Sequence, residues 1–195
     1  MQIENSILVP QHIDKVWEFC QDVPQVAACL PGADLSEEVA PDQYTGDVTI
    51  NMGPVDMRFA GMATVTDRDH ATRTIVIDAS GADEKGRGQA NLGLTVRLTP
   101  EADGSTRMHV TQDIQLAGAA AQYGRGMIGD VTQVLMGDFA KNMQVRLDAF
   151  ERGVSVDEIQ GARSASGFVL GLRAAWMALK RVARRFFLPY EPSRV

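Results

Sequence analysis

The amino-acid sequence predicts an α+β fold: a curved antiparallel sheet wrapped on one long C-terminal helix, with an amphipathic tail helix appended. Three observations predict it. Residues 122–150 keep Ile128, Val131, Leu135, Phe139, Met143 and Leu147 at helical spacing, with Arg125, Asp130, Asp138, Lys141 and Asp148 mostly turned elsewhere. The stretch before them alternates apolar and polar residues with period two, as strands with one oily face do. Beyond residue 166 the chain becomes basic and apolar together. At about 1.5 Å per residue the long helix reaches about 40 Å, enough to cross a whole sheet, so its apolar face needs a broad partner.

Each element has its own local reason. Gln2 to Val9 alternates weakly and reads as a first strand, closed by Pro10. Ile13, Val16, Trp17 and Cys20 fall at helical spacing, and Asp22-Val23-Pro24 supplies an N-cap and an early proline for a second short helix. Cys29-Leu30-Pro31-Gly32 stops that helix. Tyr44, Gly46, Val48, Ile50 and Met52 then alternate with Thr45, Asp47, Thr49 and Asn51 up to a turn at Gly53-Pro54. The pattern resumes with Val55, Met57, Phe59, Ala63 and Val65, pauses at Asp67-Arg68-Asp69, and returns around Ile75 and Ile77. A loop is expected over 81–86, then a strand through Ala90, Leu92, Leu94, Val96 and Leu98. A hairpin turn at 102–105 leads to the last strand, with Met108, Val110, Gln112, Ile114 and Leu116. The expected order is strand, two helices, five or six strands, helix: an antiparallel meander that needs cover on one face only.

Composition bounds the function. With 195 residues, 45% of them hydrophobic, the chain can bury a proper core. Its net charge of −6 hides a split: residues 1–162 carry 12 Lys+Arg against 24 Asp+Glu, residues 163–195 carry 7 against 1. An acidic body repels nucleic acid and anionic lipid, whereas a basic apolar tail attracts both. The opening MQIENSILVP has no basic region followed by a long apolar run, so a reducing cytosolic setting is expected, with Cys20 and Cys29 neither bridged nor binding metal. His12, His70 and His109 sit on different predicted elements, His109 on the water face of its strand, which supports no metal cluster. No nucleophile elbow, phosphate-cradling loop or dinucleotide fingerprint occurs, and no catalytic site is expected.

Val16-Trp17 followed by Cys29-Leu30-Pro31-Gly32, then Asn51-Met52-Gly53-Pro54-Val55, then Gly118, Gly124, Gly126 and Gly129 opening the last helix, form a set of motifs. Across residues 1–150 they resemble the CoxG family, the G subunit of carbon monoxide dehydrogenase, within the helix-grip fold of the START-like (SRPBCC) superfamily. Gly118-Ala119-Ala120 departs from the family pattern at the strand-to-helix junction. The resemblance implies a cavity between sheet and helix, and a partner, a carbon monoxide dehydrogenase of the molybdenum hydroxylase type, whose electrons pass eventually to membrane quinone. The expected ligand is therefore a quinone, menaquinone or ubiquinone, with no covalent cofactor. Expected pocket residues are Trp17, Met52, Met57, Phe59, Met108, Gln112, Tyr123, Met127, Ile128, Val131, Leu135 and Phe139, with Met62 a further candidate. Methionine suits a long flexible apolar ligand because it repacks at low cost, though ordinary core filling is the alternative. Gln112, on an oily face, is either satisfied internally or a donor to a ligand carbonyl.

Residues 1–150 form the expected ligand-binding body, 151–166 a linker rich in glycine, serine and charge, 167–188 an amphipathic helix and 189–195 a tail. Phe168, Leu172, Trp176, Leu179 and Phe186 fall on one side of that helix, followed by Phe187, while Arg173, Lys180, Arg181, Arg184 and Arg185 occupy the opposite arc. The segment is too interrupted to span a bilayer, which wants about 20 apolar residues. It suits the plane of an anionic membrane surface, where each Lys or Arg is worth about 1 kcal/mol. Docking on the acidic body, dimerisation or a role as a calmodulin-like target are the competing readings. The expectation is a non-enzymatic quinone carrier, peripheral on the cytoplasmic face of the membrane, with no nucleic-acid partner. A docking or maturation factor without a lipid ligand is the alternative, and an enzyme of the cyclase or hydrolase kind is a third reading.

Overall fold

The computed structural model describes residues 1–52, 55–122 and 124–151, with the backbone alone at 51, 52, 55 and 151. In chain order the elements are β1 (Gln2–Val9), α1 (Ile13–Gln21), α2 (Val23–Ala27), β2 (Ala33–Ala40), β3 (Gln43–Met52), β4 (Val55–Asp69), β5 (Thr74–Asp83), β6 (Gly88–Pro100), β7 (Thr106–Gly118) and, after a 3-10 turn at Ala119–Gln122, α3 (Arg125–Glu151). The strands form one antiparallel sheet in the order β1-β7-β6-β5-β4-β3-β2. Residues 1–147 make up one compact unit, and the described residues beyond it complete α3.

Local chemistry explains the elements. His12 caps α1 by accepting the Asp14 N–H at 3.4 Å, and α1 buries Val16, Trp17, Phe19 and Cys20 along one face. Asp22 caps α2 by accepting the Gln25 N–H at 3.1 Å, with Pro24 in the first turn. The chain leaves α2 through Gly32, whose φ of +79° favours glycine and whose missing Cβ would sit 2.4 Å from the Thr49 carbonyl oxygen. Gly32 in turn accepts the Thr49 N–H at 2.8 Å, tying the leucine-proline-glycine step to β3.

Three expectations need correction. β2 is a strand that the alternation did not reveal: it sits at the sheet edge, is largely exposed, and carries Glu37 and Glu38 beside two register shifts. Charge and irregularity are what an edge uses to discourage pairing with another chain, and they erase the oily period. The pause at 67–69 is the end of β4, with a register shift between Val65 and Asp67. Gly81, Ala82 and Asp83 belong to β5, so the loop before β6 is shorter than expected.

One face of the sheet looks toward α3, and the core on it falls into two parts. At one end Ile7, Val9, Val16, Trp17, Val65, Ile75, Leu98, Met108 and Val110 pack with Met143 and Leu147 of α3. At the other, Met57, Phe59 and Ala120 form a smaller cluster, supported by Val48, Ile50, Ala90 and Leu116. Polar bonds join α3 to the end of α2: Asn142 Nδ2 donates to the Cys29 carbonyl at 3.0 Å, and Arg146 Nη1 to Gln25 Oε1 at 3.1 Å.

Between the clusters the sheet is creased. Gly46 pairs with Gly61, and Gly61 with Gly81, so three adjacent strands place a glycine on the helix side in one row. A Cβ at Gly61 would lie 1.9 Å from the Ser80 carbonyl oxygen, and one at Gly46 2.4 Å from that of Asp34. Neighbouring backbone has curled into the space that side chains would fill, which is how glycine permits a sharp bend in a sheet. Gly61→Val is therefore expected to cost about 3 kcal/mol or more, read as a lowered midpoint in denaturant. Gly137→Ala, on α3 with nothing within 4 Å of its Cβ, is expected to hold or raise that midpoint, by up to about 1 kcal/mol.

Candidate functional site

The site is the helix side of the sheet between the two clusters. Ala63 on β4, Ala79 on β5, Leu92 on β6 and Ile114 on β7 face that side in register, and all four stay only half-buried. Apolar side chains on the covered side of a sheet normally merge into one core, because close packing leaves few voids. Here the crease and the small residues beside it leave a strip that neither cluster closes over. None of these four was among the expected pocket residues. The signal that would have found them is the run of glycine and alanine at positions where the alternation calls for bulk.

The expected residues distribute around this strip. Met57 and Phe59 belong to the smaller cluster and are 1% and 5% exposed, while Met108, at 2%, belongs to the larger one. They are packed as end walls. On α3, Ile128 is buried, Val131 and Leu135 are half-buried, and Phe139 packs on the larger cluster. Met127 points away, 42% exposed, because it lies one residue out of phase with Ile128. Met62 faces the opposite side of the sheet, where it lines an open depression of about 410 Å³ with Thr64, Asp78, Ser80, Asn91, Asp113 and Gln115, and Ala79 and Leu92 also border that depression. Tyr123, the side chain of Met52, the 151–166 linker and the 167–188 helix with its residues Phe168 to Phe187 lie outside the described residues.

Trp17 is committed within the protein. Its indole N–H donates to His70 Nδ1 at 3.1 Å, the two rings meet edge-on at 5.2 Å, and the Arg73 guanidinium lies 5.4 Å over the indole. Arg73 also pairs with Asp14 at 2.5 Å, so α1 is fastened to the β4–β5 turn. His109 is exposed on the far side, as its strand position predicts, within 3.3 Å of the Thr99 hydroxyl. Burial pushes the Cys20 thiol up to about 12, helped by Cys29, and pushes Cys29 up to about 11 against the opposing charge of Arg146. Both thiols stay protonated at neutral pH, which does not suit a nucleophile.

The end beside Phe59 is closed by an ion pair that sequence reasoning missed. Asp83, opposite Phe59 in register, has a fully buried side chain. It accepts both the Nε and Nη2 of Arg87 at 2.7 Å, together with the backbone N–H groups of Lys85 and Arg87. Arg87 Nη2 reaches on to the Asp56 carbonyl at 2.8 Å, joining the β5–β6 turn to β4. These donors, the Arg87 guanidinium first, hold the Asp83 carboxyl well below the usual range. Gln112, on β7, is 6% exposed, and its amide nitrogen has no hydrogen-bond partner.

A family model for CoxG, the G subunit of carbon monoxide dehydrogenase, matches residues 6–148. The chain belongs to the CoxG family. A search of curated proteins finds no match. Among solved structures, a conserved protein from Geobacillus kaustophilus is similar at 26% identity and a TM-score of 0.68, over 76% of this chain and 95% of that one. The Zhui aromatase/cyclase from Streptomyces sp. R1128 is similar at 15% identity and 0.56, over 76% and 94%. A START superfamily protein from Mycobacterium smegmatis is similar at 14% and 0.54, over 76% and 98%. The fold of this CoxG family member is the START-like helix-grip. No helix among its described residues is long and apolar enough to cross a membrane.

Because Asp83 has a lowered pKa in the folded state, its contribution is full above the unfolded carboxyl value of about 3.9 and is lost as pH falls. Asp83→Asn is thus expected to melt lower than the wild type at neutral pH, with a gap that narrows steadily below about pH 4. A gap independent of pH would deny Asp83 its charge-based role.

Proposed function

We propose that the protein is a carrier. It holds a quinone, menaquinone or ubiquinone, between sheet and helix, and presents it to a carbon monoxide dehydrogenase of the molybdenum hydroxylase type at the cytoplasmic face of the membrane. The observation that carries the reading is the half-buried strip through Ala63, Ala79, Leu92 and Ile114. Such a strip is filled favourably by an apolar ligand, at about 25 cal/mol for each Å² removed from water. The groups along it are mostly hydrocarbon, with the Tyr44 phenol opposite Ala63 and the Gln112 amide next to Ile114 as its polar members, a lining that suits binding of an apolar ligand.

Family membership supports the dehydrogenase as partner. The charge split supports the membrane: the acidic body stays in water while the basic apolar residues of 163–195 favour anionic lipid. A carrier so placed meets a lipid-soluble electron acceptor and a soluble enzyme at the same surface. A second reading, a docking or maturation factor without ligand, draws on the tight packing of Met57, Phe59 and Met108 as plain core.

Mass spectrometry of lipid extracted from the full chain, purified with its membrane fraction, is expected to find quinone in substoichiometric to equimolar amount. Truncation after residue 162 is expected to abolish sedimentation with anionic vesicles while leaving capture of the dehydrogenase intact. Recovery of the dehydrogenase with no quinone at any occupancy would reject the carrier and leave the docking factor.

A further inference from the structure

Gln112 is a buried polar group that the fold leaves unfinished. Its register partners on the helix side are Ile3 of β1 and Leu94 of β6, and its neighbours along β7 on that side are Val110 and Ile114. All four are hydrocarbon. With the residue 6% exposed and no partner for Nε2, that N–H donor is desolvated and unpaired, a condition that costs about 1–3 kcal/mol. A second amide repeats the pattern: Asn5, opposite Val110 on β1, also has a buried Nδ2 without a partner. Asn5 and Gln112 are diagonal neighbours across the β1–β7 ladder, within about 7–8 Å of each other. Gln112 therefore borders the open strip next to Ile114, and the Asn5 donor stands one pair further along the same face, opposite Val110.

We infer that the Gln112 and Asn5 amides form a polar subsite for a neutral carbonyl oxygen, so that the ligand class is an apolar chain or ring bearing a ketone-like carbonyl. The inference rests on the reading of an apolar ligand between sheet and helix and adds what that reading lacks, a group that orients the ligand. The unmatched groups are donors, so the ligand atom that answers them is an acceptor. It is uncharged: a carboxylate or phosphate would need a cation, and the one buried cation among the described residues, Arg146, already donates to Gln25. A pure hydrocarbon would fill the strip but leave both amides unpaired. A quinone meets all three conditions, as do other neutral carbonyl lipids.

The test uses the delipidated full chain and three probes of equal length: 2-heptadecanone, heptadecane and heptadecanoate. Each competes against the neutral fluorophore N-phenyl-1-naphthylamine. The ketone is expected to displace the fluorophore at about tenfold lower concentration than the alkane or the carboxylate. In Gln112→Met, which keeps the volume and removes the donor, ketone and alkane should compete within about twofold of each other. Infrared spectra of carbonyl-labelled ketone supply a readout that needs no variant: the bound carbonyl stretch should lie below its position in alkane solvent. Equal competition by ketone and alkane, tight binding of heptadecanoate, or an unshifted carbonyl stretch overturns the subsite while leaving an apolar pocket standing. If the fluorophore is not bound, or none of the three displaces it, the pocket itself is refuted and the subsite with it.

Discussion

The bend of the sheet is the constraint on which the rest depends. Gly46, Gly61 and Gly81 stand side by side on three strands, and at Gly46 and Gly61 the backbone of the next strand occupies the place where a Cβ would be. A sheet folded at that row draws its ends around α3, and each end finds side chains long enough to complete a core: Met143 and Leu147 at one, Met57 and Phe59 at the other. The middle does not, because the residues that permit the bend are the ones with least to contribute to filling it. A partly open interior thus follows from the curvature itself.

Much of this was legible in the sequence. The alternation in β3 to β7, the helical period of α3 and the stop at Leu30-Pro31-Gly32 each reflect a local rule that the tertiary structure keeps. What escaped notice escaped for physical reasons. β2 lacks an oily period because an edge strand is protected by charge. Gly81 read as loop because glycine interrupts patterns, whereas here it sits mid-strand at a crease. Met57 and Met108 were legible as inward-facing, whereas Met62 faces the other side of the sheet; alternation reports only the side, and whether Met108 fills a core or lines a gap depends on which α3 residue stands above it. Met127 shows the same limit along the helix, where one residue of phase separates buried Ile128 from an exposed neighbour.

Several polar contacts close the ends of the fold: Trp17 with His70, Arg73 with Asp14, Asp83 with Arg87, Asn142 with the Cys29 carbonyl. These contacts fasten the helices and the β5–β6 turn around the opening. Beside the open strip the Gln112 amide nitrogen remains unpaired, as does Asn5 Nδ2 one pair further along the face. Rigid, saturated ends with an unsaturated middle are the arrangement expected of a preorganised binding site, since the ligand then orders little of the protein when it enters. In this reading the chemistry of electron transfer belongs to the partner enzyme and the quinone. The protein's proposed task is to supply a dry place for the ligand between sheet and helix.

The presence of that dry place is open to direct measurement by diffraction from crystals of the delipidated protein under xenon pressure, because xenon enters apolar voids that water leaves empty. The account predicts a xenon site bordered by Ala63, Ala79, Leu92 and Ile114, within reach of Gln112. Crystals with no xenon there, and with Val131 and Leu135 packed down onto those residues as continuous core, would contradict it.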